Sequence, residues 1–280
     1  MRVAILQYPI LWANVAENLR LTQQRIRSLR GQADVALLPE MFTTGFCTDR
    51  PELAETVDGV TMQTMQSLSD ETGIAIAGTF ICEDGDKLFN RGFFVRPFAQ
   101  TTFTDKRHLY AHGGEDRFFS PATERIIIEY RGVKMLMLIC YDLRFPIWAR
   151  NVSGYDYDIL LVSANWPQIR IQYWDALIAA RAAENQCYIA AANPVGDDGL
   201  GLHYNGHSIA YDTHLHPICA FADNEQGTRI ADFDIQRLHH FREALPLWRD
   251  VDREWRMENG EWRIENAKCK MQNAKWRMEN

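Results

Sequence analysis

Cys140 ends the apolar run Met135-Leu136-Met137-Leu138-Ile139 and is followed at once by Tyr141-Asp142-Leu143-Arg144-Phe145-Pro146. A buried strand that stops there, turns, and enters a helix after a proline puts the cysteine at the strand's carboxyl edge, where α/β sheets build their sites. A thiol at that place could act as a nucleophile, and a helix N-terminus beside it would favour the thiolate. A buried structural cysteine would suit the strand equally; the polar cluster directly after it is what argues for chemistry. Glu40 closes a second apolar run, Val35-Ala36-Leu37-Leu38-Pro39, and is followed by Met41-Phe42. A carboxylate among apolar neighbours should have a raised pKa, which suits general acid–base work, although a solvated strand-end glutamate is also common. Lys106, in Thr104-Asp105-Lys106-Arg107-His108, would lower a neighbouring thiol's pKa or hold an oxyanion; taken alone it reads as a surface lysine. Glu115 is likewise unremarkable by itself. Asn165-Trp166 follows the run Val162-Ser163-Ala164, where the tryptophan is either a pocket wall or core.

Positioning these groups requires buried strands alternating with helices. Strands are expected at 2–7, 35–38, 74–80, 92–95, 126–130, 133–139, 159–164 and 188–193, with later ones at 207–211, 217–220 and 229–233. Arg131-Gly132 looks like a two-residue hairpin joint. Asn14 is a candidate cap for a helix reaching Gly31, with Glu17 completing a capping box. Residues 61–71 and 174–186 read as further helices. Such alternation points to a layered α/β domain.

The composition is that of a soluble globular chain: of 280 residues, 46% are hydrophobic, enough for one large core. A net charge of −7 argues against nucleic acid or an anionic membrane as main partner. No apolar run approaches the roughly 20 residues of a membrane helix. Residues 1–6 run straight into a core strand, unlike a cleavable signal peptide. Six cysteines, at 47, 82, 140, 187, 219 and 269, form no CxxC motif, which suits reduced thiols and a cytoplasmic protein.

From Glu254 the chain repeats every seven residues, from Glu-Trp-Arg-Met-Glu-Asn-Gly onward. Met257, Gly260, Ile264, Ala267, Met271, Ala274 and Met278 form a seam, but alternate positions are only Gly or Ala. This predicts a catalytic domain at 1–252 and a tail at 253–280 that is disordered or a frayed helix rather than a stable coiled coil.

Taken together and in order, four motifs resemble the nitrilase superfamily of carbon–nitrogen hydrolases over residues 1–245. They are Leu37-Leu38-Pro39-Glu40-Met41-Phe42, Asp105-Lys106-Arg107-His108-Leu109, Leu138-Ile139-Cys140-Tyr141-Asp142-Leu143-Arg144-Phe145-Pro146 and Ala180-Arg181-Ala182-Ala183-Glu184-Asn185-Gln186. The resemblance implies a four-layer α/β/β/α sandwich and a catalytic Glu40, Lys106 and Cys140. It also implies an oxyanion held by Lys106 and the Tyr141 N–H, a substrate-positioning Glu115, and no cofactor or metal. The partner is then a small-molecule amide, and a homodimer or larger homo-oligomer is the expected assembly. The Cys-Tyr-Asp-Leu-Arg-Phe-Pro and Ser163-Ala164-Asn165-Trp166-Pro167 stretches are most similar to the ω-amidase branch, as is Val195-Gly196-Asp197-Asp198-Gly199 with His203-Tyr204. That branch acts on 2-oxoglutaramate and 2-oxosuccinamate. Its substrates carry a carboxylate, for which Arg181, Arg117 and Arg144 are candidates, with Trp166 as a pocket wall; salt bridges to Asp142 or Glu184 would explain the arginines equally. Gly206-His207-Ser208 departs from an expected Gly-Asp-Ser, and the tail is foreign to the family. Amidases for deaminated glutathione or N-carbamoyl substrates, a nitrilase, and a catalytically silent interaction protein are the competing readings.

Overall fold

A computed structural model describes residues 1–151, 154–250, 254–258 and 261–265. The chain opens with β1 (Arg2–Gln7), whose period-2 alternation sorts its side chains to two faces. Val3 and Ile5 enter one apolar cluster, while Ala4 and Leu6 enter another. Next come α1 (Val15–Arg27), β2 (Val35–Leu37), α2 (Val60–Thr72), β3 (Ala75–Asp84), β4 (Lys87–Arg96) and β5 (Ala99–Asp105). The second half runs through β6 (Ile127–Tyr130), β7 (Val133–Ile139), α3 (Pro146–Ala149), β8 (Ile159–Ser163), α4 (Ile171–Asn185) and β9 (Tyr188–Ala192). The short strands β10 (Val195–Asp197), β11 (His203–Asn205), β12 (Ile209–Tyr211), β13 (Pro217–Ala220) and β14 (Gly227–Asp232) precede α5 (Ile235–Ala244).

Two six-stranded sheets result, in the orders β14-β1-β2-β3-β4-β5 and β13-β12-β9-β8-β7-β6. Each has a parallel core of three strands, β1-β2-β3 and β7-β8-β9, flanked by antiparallel neighbours. The sheets pack face to face through Val3, Ile5, Val35 and Leu37 on one side and Met135, Met137, Ile159 and Leu161 on the other. The outer face of the first sheet is covered by α1 and α2 through Leu19, Ile26, Met62 and Met65. That of the second is covered by α4 through Trp174, Ile178 and Ala182. This is the α/β/β/α sandwich, and parallel strands covered on both faces explain why their sequences read as unbroken apolar runs.

Local details follow the chain's chemistry, with differences. Arg131 and Gly132 both have positive φ, 50° and 74°, as a type I′ joint between β6 and β7 requires. Asn14 accepts the Glu17 N–H at 3.2 Å, but the Glu17 carboxylate pairs with Arg20 instead of closing the capping box. β3 and β4 run to Asp84 and from Lys87, beyond the apolar stretches expected, because hairpin pairing continues into solvent where no hydrophobic pattern marks it. In the tail, β15 (Glu254–Glu258) and β16 (Glu261–Glu265) pair antiparallel, where a disordered segment or a frayed helix was expected. Asn259-Gly260, between the two strands in sequence, lie outside the described residues. Residues 251–253, at the proposed boundary, and 266–280 lie outside the described residues. Among the described residues no helix is long and apolar enough to cross a membrane.

Candidate active site

Glu40, Lys106, Cys140 and Asn165 each follow the carboxyl end of a strand, β2, β5, β7 and β8 respectively. The sandwich brings these ends to one edge. Glu40 and Lys106 come from the first sheet, Cys140 and Asn165 from the second, so the site lies across the seam between them.

Lys106 is fully buried and donates to Glu40 Oε1 at 2.9 Å and to Glu115 Oε2 and Oε1 at 2.8 and 3.0 Å. Asn90 Nδ2, from β4, donates to the same two carboxylates at 2.7 and 3.0 Å. The second Glu40 oxygen accepts the Asn165 N–H at 2.9 Å, and the Asn165 side chain donates to the Glu40 carbonyl at 2.7 Å. The Tyr110 N–H donates to Glu115 Oε2 at 2.7 Å. The Cys140 thiol donates to the Asn165 carbonyl at 3.7 Å, so Asn165 touches both carboxylate and sulfur.

Burial raises the Glu40 pKa, with Lys106 opposing and Glu115 reinforcing the shift. For Lys106, burial acts downward, but Glu115 and Glu40 outweigh it and hold the ammonium charged. Cys140 departs from the expectation of a lowered pKa. Burial, then the Glu40 charge, push its thiol well above the ordinary value, and Lys106 offsets only part. The helical stretch after it is a short 3₁₀ turn, Cys140–Arg144, followed by the single turn α3. Burial thus favours the neutral thiol over the thiolate. Cys140 also has φ of 45°, a left-handed conformation that costs a non-glycine residue about 1–2 kcal/mol.

The pocket above the sulfur is bordered by Phe46, Lys106, Tyr110, Tyr141, Arg144, Trp166, Arg170 and Tyr204 among others. Tyr141 packs its ring 5.1 Å from that of Tyr110, and its N–H lies in the first turn of the 3₁₀ segment, without an intrahelical acceptor. Trp166 is both wall and core, 3% exposed, with its indole N–H donated to the Arg170 carbonyl at 2.8 Å. Arg144 lies 4.9 Å from the ring centroids of Trp166 and Tyr173.

Two of the candidate arginines are elsewhere. Arg181 is a buried residue of α4 that pairs with Glu184, three residues on along the same helix, at 2.9 Å, and it does not border the pocket. Arg117 is exposed and does not border the pocket. His207 is also outside it: Nδ1 meets Asp175 at 3.0 Å and Nε2 meets Asp223. Its neighbour Gly206 has φ of 84° and lies against the Gln7 amide, where a Cβ would come within 2.3 Å. Asn90 and Arg170 were not singled out from sequence. Asn90 sits inside an ordinary strand stretch, and no local pattern marks it.

Residues 2–243 match the carbon–nitrogen hydrolase family. An ω-amidase, YafV of Escherichia coli K12, is 39% identical over 90% of this chain and 97% of its own length. A 2-oxoglutaramate amidase of Bacillus subtilis is 31% identical over 90% and 98%. The crystal structure of XC1258 from Xanthomonas campestris, a CN-hydrolase superfamily protein with an arsenic adduct in its active site, superposes with a TM-score of 0.88 at 32% identity, covering 92% and 99% of the two chains. Since the match spans both sheets and every strand end that meets at the seam, the chain belongs to the carbon–nitrogen hydrolase family.

Proposed function

We propose that this carbon–nitrogen hydrolase is a cysteine-dependent ω-amidase, cleaving the terminal amide of short 2-oxo acid amides such as 2-oxoglutaramate and 2-oxosuccinamate. The observation that carries the reading is Arg144. Its guanidinium borders the pocket above Cys140, much of whose lining is apolar, and has no carboxylate partner among the described residues. An uncompensated cation in such a pocket suits a substrate that brings its own carboxylate. Similarity to relatives named for ω-amidase and 2-oxoglutaramate amidase activity supports the same substrate class.

In this reading Glu40 takes the Cys140 proton as the sulfur attacks the amide carbon. The carbonyl electrons move to oxygen, which Lys106 Nζ and the Tyr141 N–H hold. On collapse the C–N bond breaks, Glu40 passes its proton to nitrogen, and ammonia leaves a thioester on Cys140. Glu40 then deprotonates a water that attacks the thioester. The C–S bond breaks, the proton returns to sulfur, and the 2-oxo dicarboxylate departs. Glu115 neutralises and aims Lys106, and Asn165 fixes the Glu40 carboxylate toward the sulfur.

Ammonia release from 2-oxoglutaramate near neutral pH, with Cys140→Ala alongside, tests this. Rapid turnover that the variant loses is expected. A folded wild type that instead releases ammonia only from N-carbamoyl or peptide-like amides overturns the substrate assignment. A cytoplasmic setting is supported by the free thiols of Cys47, Cys82, Cys140, Cys187 and Cys219. A homodimer or larger homo-oligomer is supported by the exposed apolar side chains of Ile147 and Ile169, 88% and 81% exposed, and of Tyr173 on α4.

A further inference from the structure

Two arginines border the Cys140 pocket. Arg170 ends the 3₁₀ turn Gln168–Arg170, and its guanidinium carbon lies 5.3 Å from the Tyr110 ring centroid. Like Arg144, it has no carboxylate partner among the described residues. Lys106 differs, since Glu40 and Glu115 neutralise it. The Arg170 backbone is pinned to the pocket wall by the Trp166 indole, which donates to its carbonyl at 2.8 Å. Much of the remaining lining is apolar, including Phe46, Pro167 and Leu202.

One guanidinium is enough for one carboxylate, which it binds through two parallel hydrogen bonds. A second uncompensated guanidinium in the same small pocket favours a further acceptor oxygen on the adjoining carbon. It also repels an ammonium there, in surroundings that screen charge poorly. We infer that Arg170 is a specificity residue: it selects ω-amides whose carbon 2 carries an acceptor oxygen and rejects those whose carbon 2 carries an ammonium. The substrate part of this inference rests on the ω-amidase reading. Its consequence is that free amino-acid amides such as glutamine are spared by charge.

The test compares kcat/KM for three amides that differ only at carbon 2: 2-oxoglutaramate, glutaramate and glutamine. Wild type, Arg170→Met, Arg170→Lys and Arg144→Met are assayed together. Wild type should prefer the oxo compound and discriminate most strongly against glutamine. Arg170→Met should lower kcat/KM for 2-oxoglutaramate about 10- to 100-fold, mainly through KM, while changing glutaramate little and narrowing the gap to glutamine. Arg170→Lys should keep part of the preference, and Arg144→Met should weaken the oxo and methylene compounds alike. An Arg170→Met protein that loses activity equally on all three, or keeps the wild-type ratios, overturns the inference. If wild type hydrolyses none of them, the ω-amidase reading falls. Calorimetric binding of 2-oxoglutarate against glutarate to Cys140→Ala then decides Arg170 separately. A preference for 2-oxoglutarate that is lost on adding Arg170→Met supports it; equal binding of both, or of neither, overturns it.

Discussion

Asp142 holds His108 twice: its Oδ1 accepts the backbone N–H and the ring Nδ1–H, both at 2.8 Å. The other oxygen, Oδ2, accepts the N–H of Ile139 at 3.2 Å. His108 lies two residues beyond Lys106, and Ile139 directly precedes Cys140. A single buried carboxylate thus ties the segment bearing the lysine to the segment bearing the sulfur. Asp142→Ala leaves three donors without this acceptor, each costing about 1–3 kcal/mol where it stays dry. A loss of roughly 3 kcal/mol in denaturant unfolding is expected, with kcat reduced about a hundredfold by misplacement of the two groups. Unchanged kcat in a folded variant would show that the clamp is structural only.

Glu40 carries a pKa raised by burial, and the sign of its effect on stability follows. Because the folded pKa exceeds the ordinary 4.5, ionising this group weakens the fold as pH rises through that value and up to the folded pKa. Glu40→Gln should therefore melt no lower than wild type at pH 7, with any gain shrinking as pH falls from the folded pKa and gone by pH 4.5. Its kcat should nonetheless fall by about a thousandfold, since the thiol loses its base. A thermal melt clearly below wild type at neutral pH contradicts this account.

Lys106→Met has the opposite balance. Glu40 and Glu115 would remain buried together without their shared cation. Breaking a buried pair on one side costs about 3–5 kcal/mol. Unfolding free energy should drop by that order, and the loss should shrink at acid pH, where the carboxylates take up protons. A loss that does not vary with pH would mean that packing around the lysine stem, and not its charge, sets the cost.

For His207, partial burial acts downward, but hydrogen bonds to Asp175 and Asp223 outweigh it and set the pKa above 6.5. Its stabilising effect is full below pH 6.5 and is lost as pH rises through the folded value. The imidazole is partly solvated, so the effect should be modest. His207→Asp would place a third carboxylate beside Asp175 and Asp223 and should lower the melting temperature most below pH 6.5, with the gap to wild type narrowing as pH rises through the folded value. Parallel melting curves for variant and wild type from pH 5 to 8 would contradict it.

The two sheets were legible from the chain itself, because parallel strands covered on both faces must be apolar throughout. Met135-Leu136-Met137-Leu138-Ile139 and Val35-Ala36-Leu37-Leu38 announce both the strand and the point where it stops. The same local logic made Glu40 and Cys140 readable, since a polar group directly after such a run must lie at a sheet edge. Lys106 and Glu115 had no local signal and became readable only through the order of the family's motifs. Asn90, Arg170 and the role of Asp142 needed the folded chain. Asn90 sits 50 residues from the carboxylate it holds, and Asp142 meets a histidine 34 residues away. Arg181 misleads for the same reason in reverse, because a residue inside a promising motif can still lie off the pocket, paired along its own helix. Strand and edge are settled by burial, which neighbours in sequence report. Which polar groups meet across the seam is settled by the packing of two sheets, and so are the raised thiol and the paired lysine, since charge and desolvation depend on distance in space.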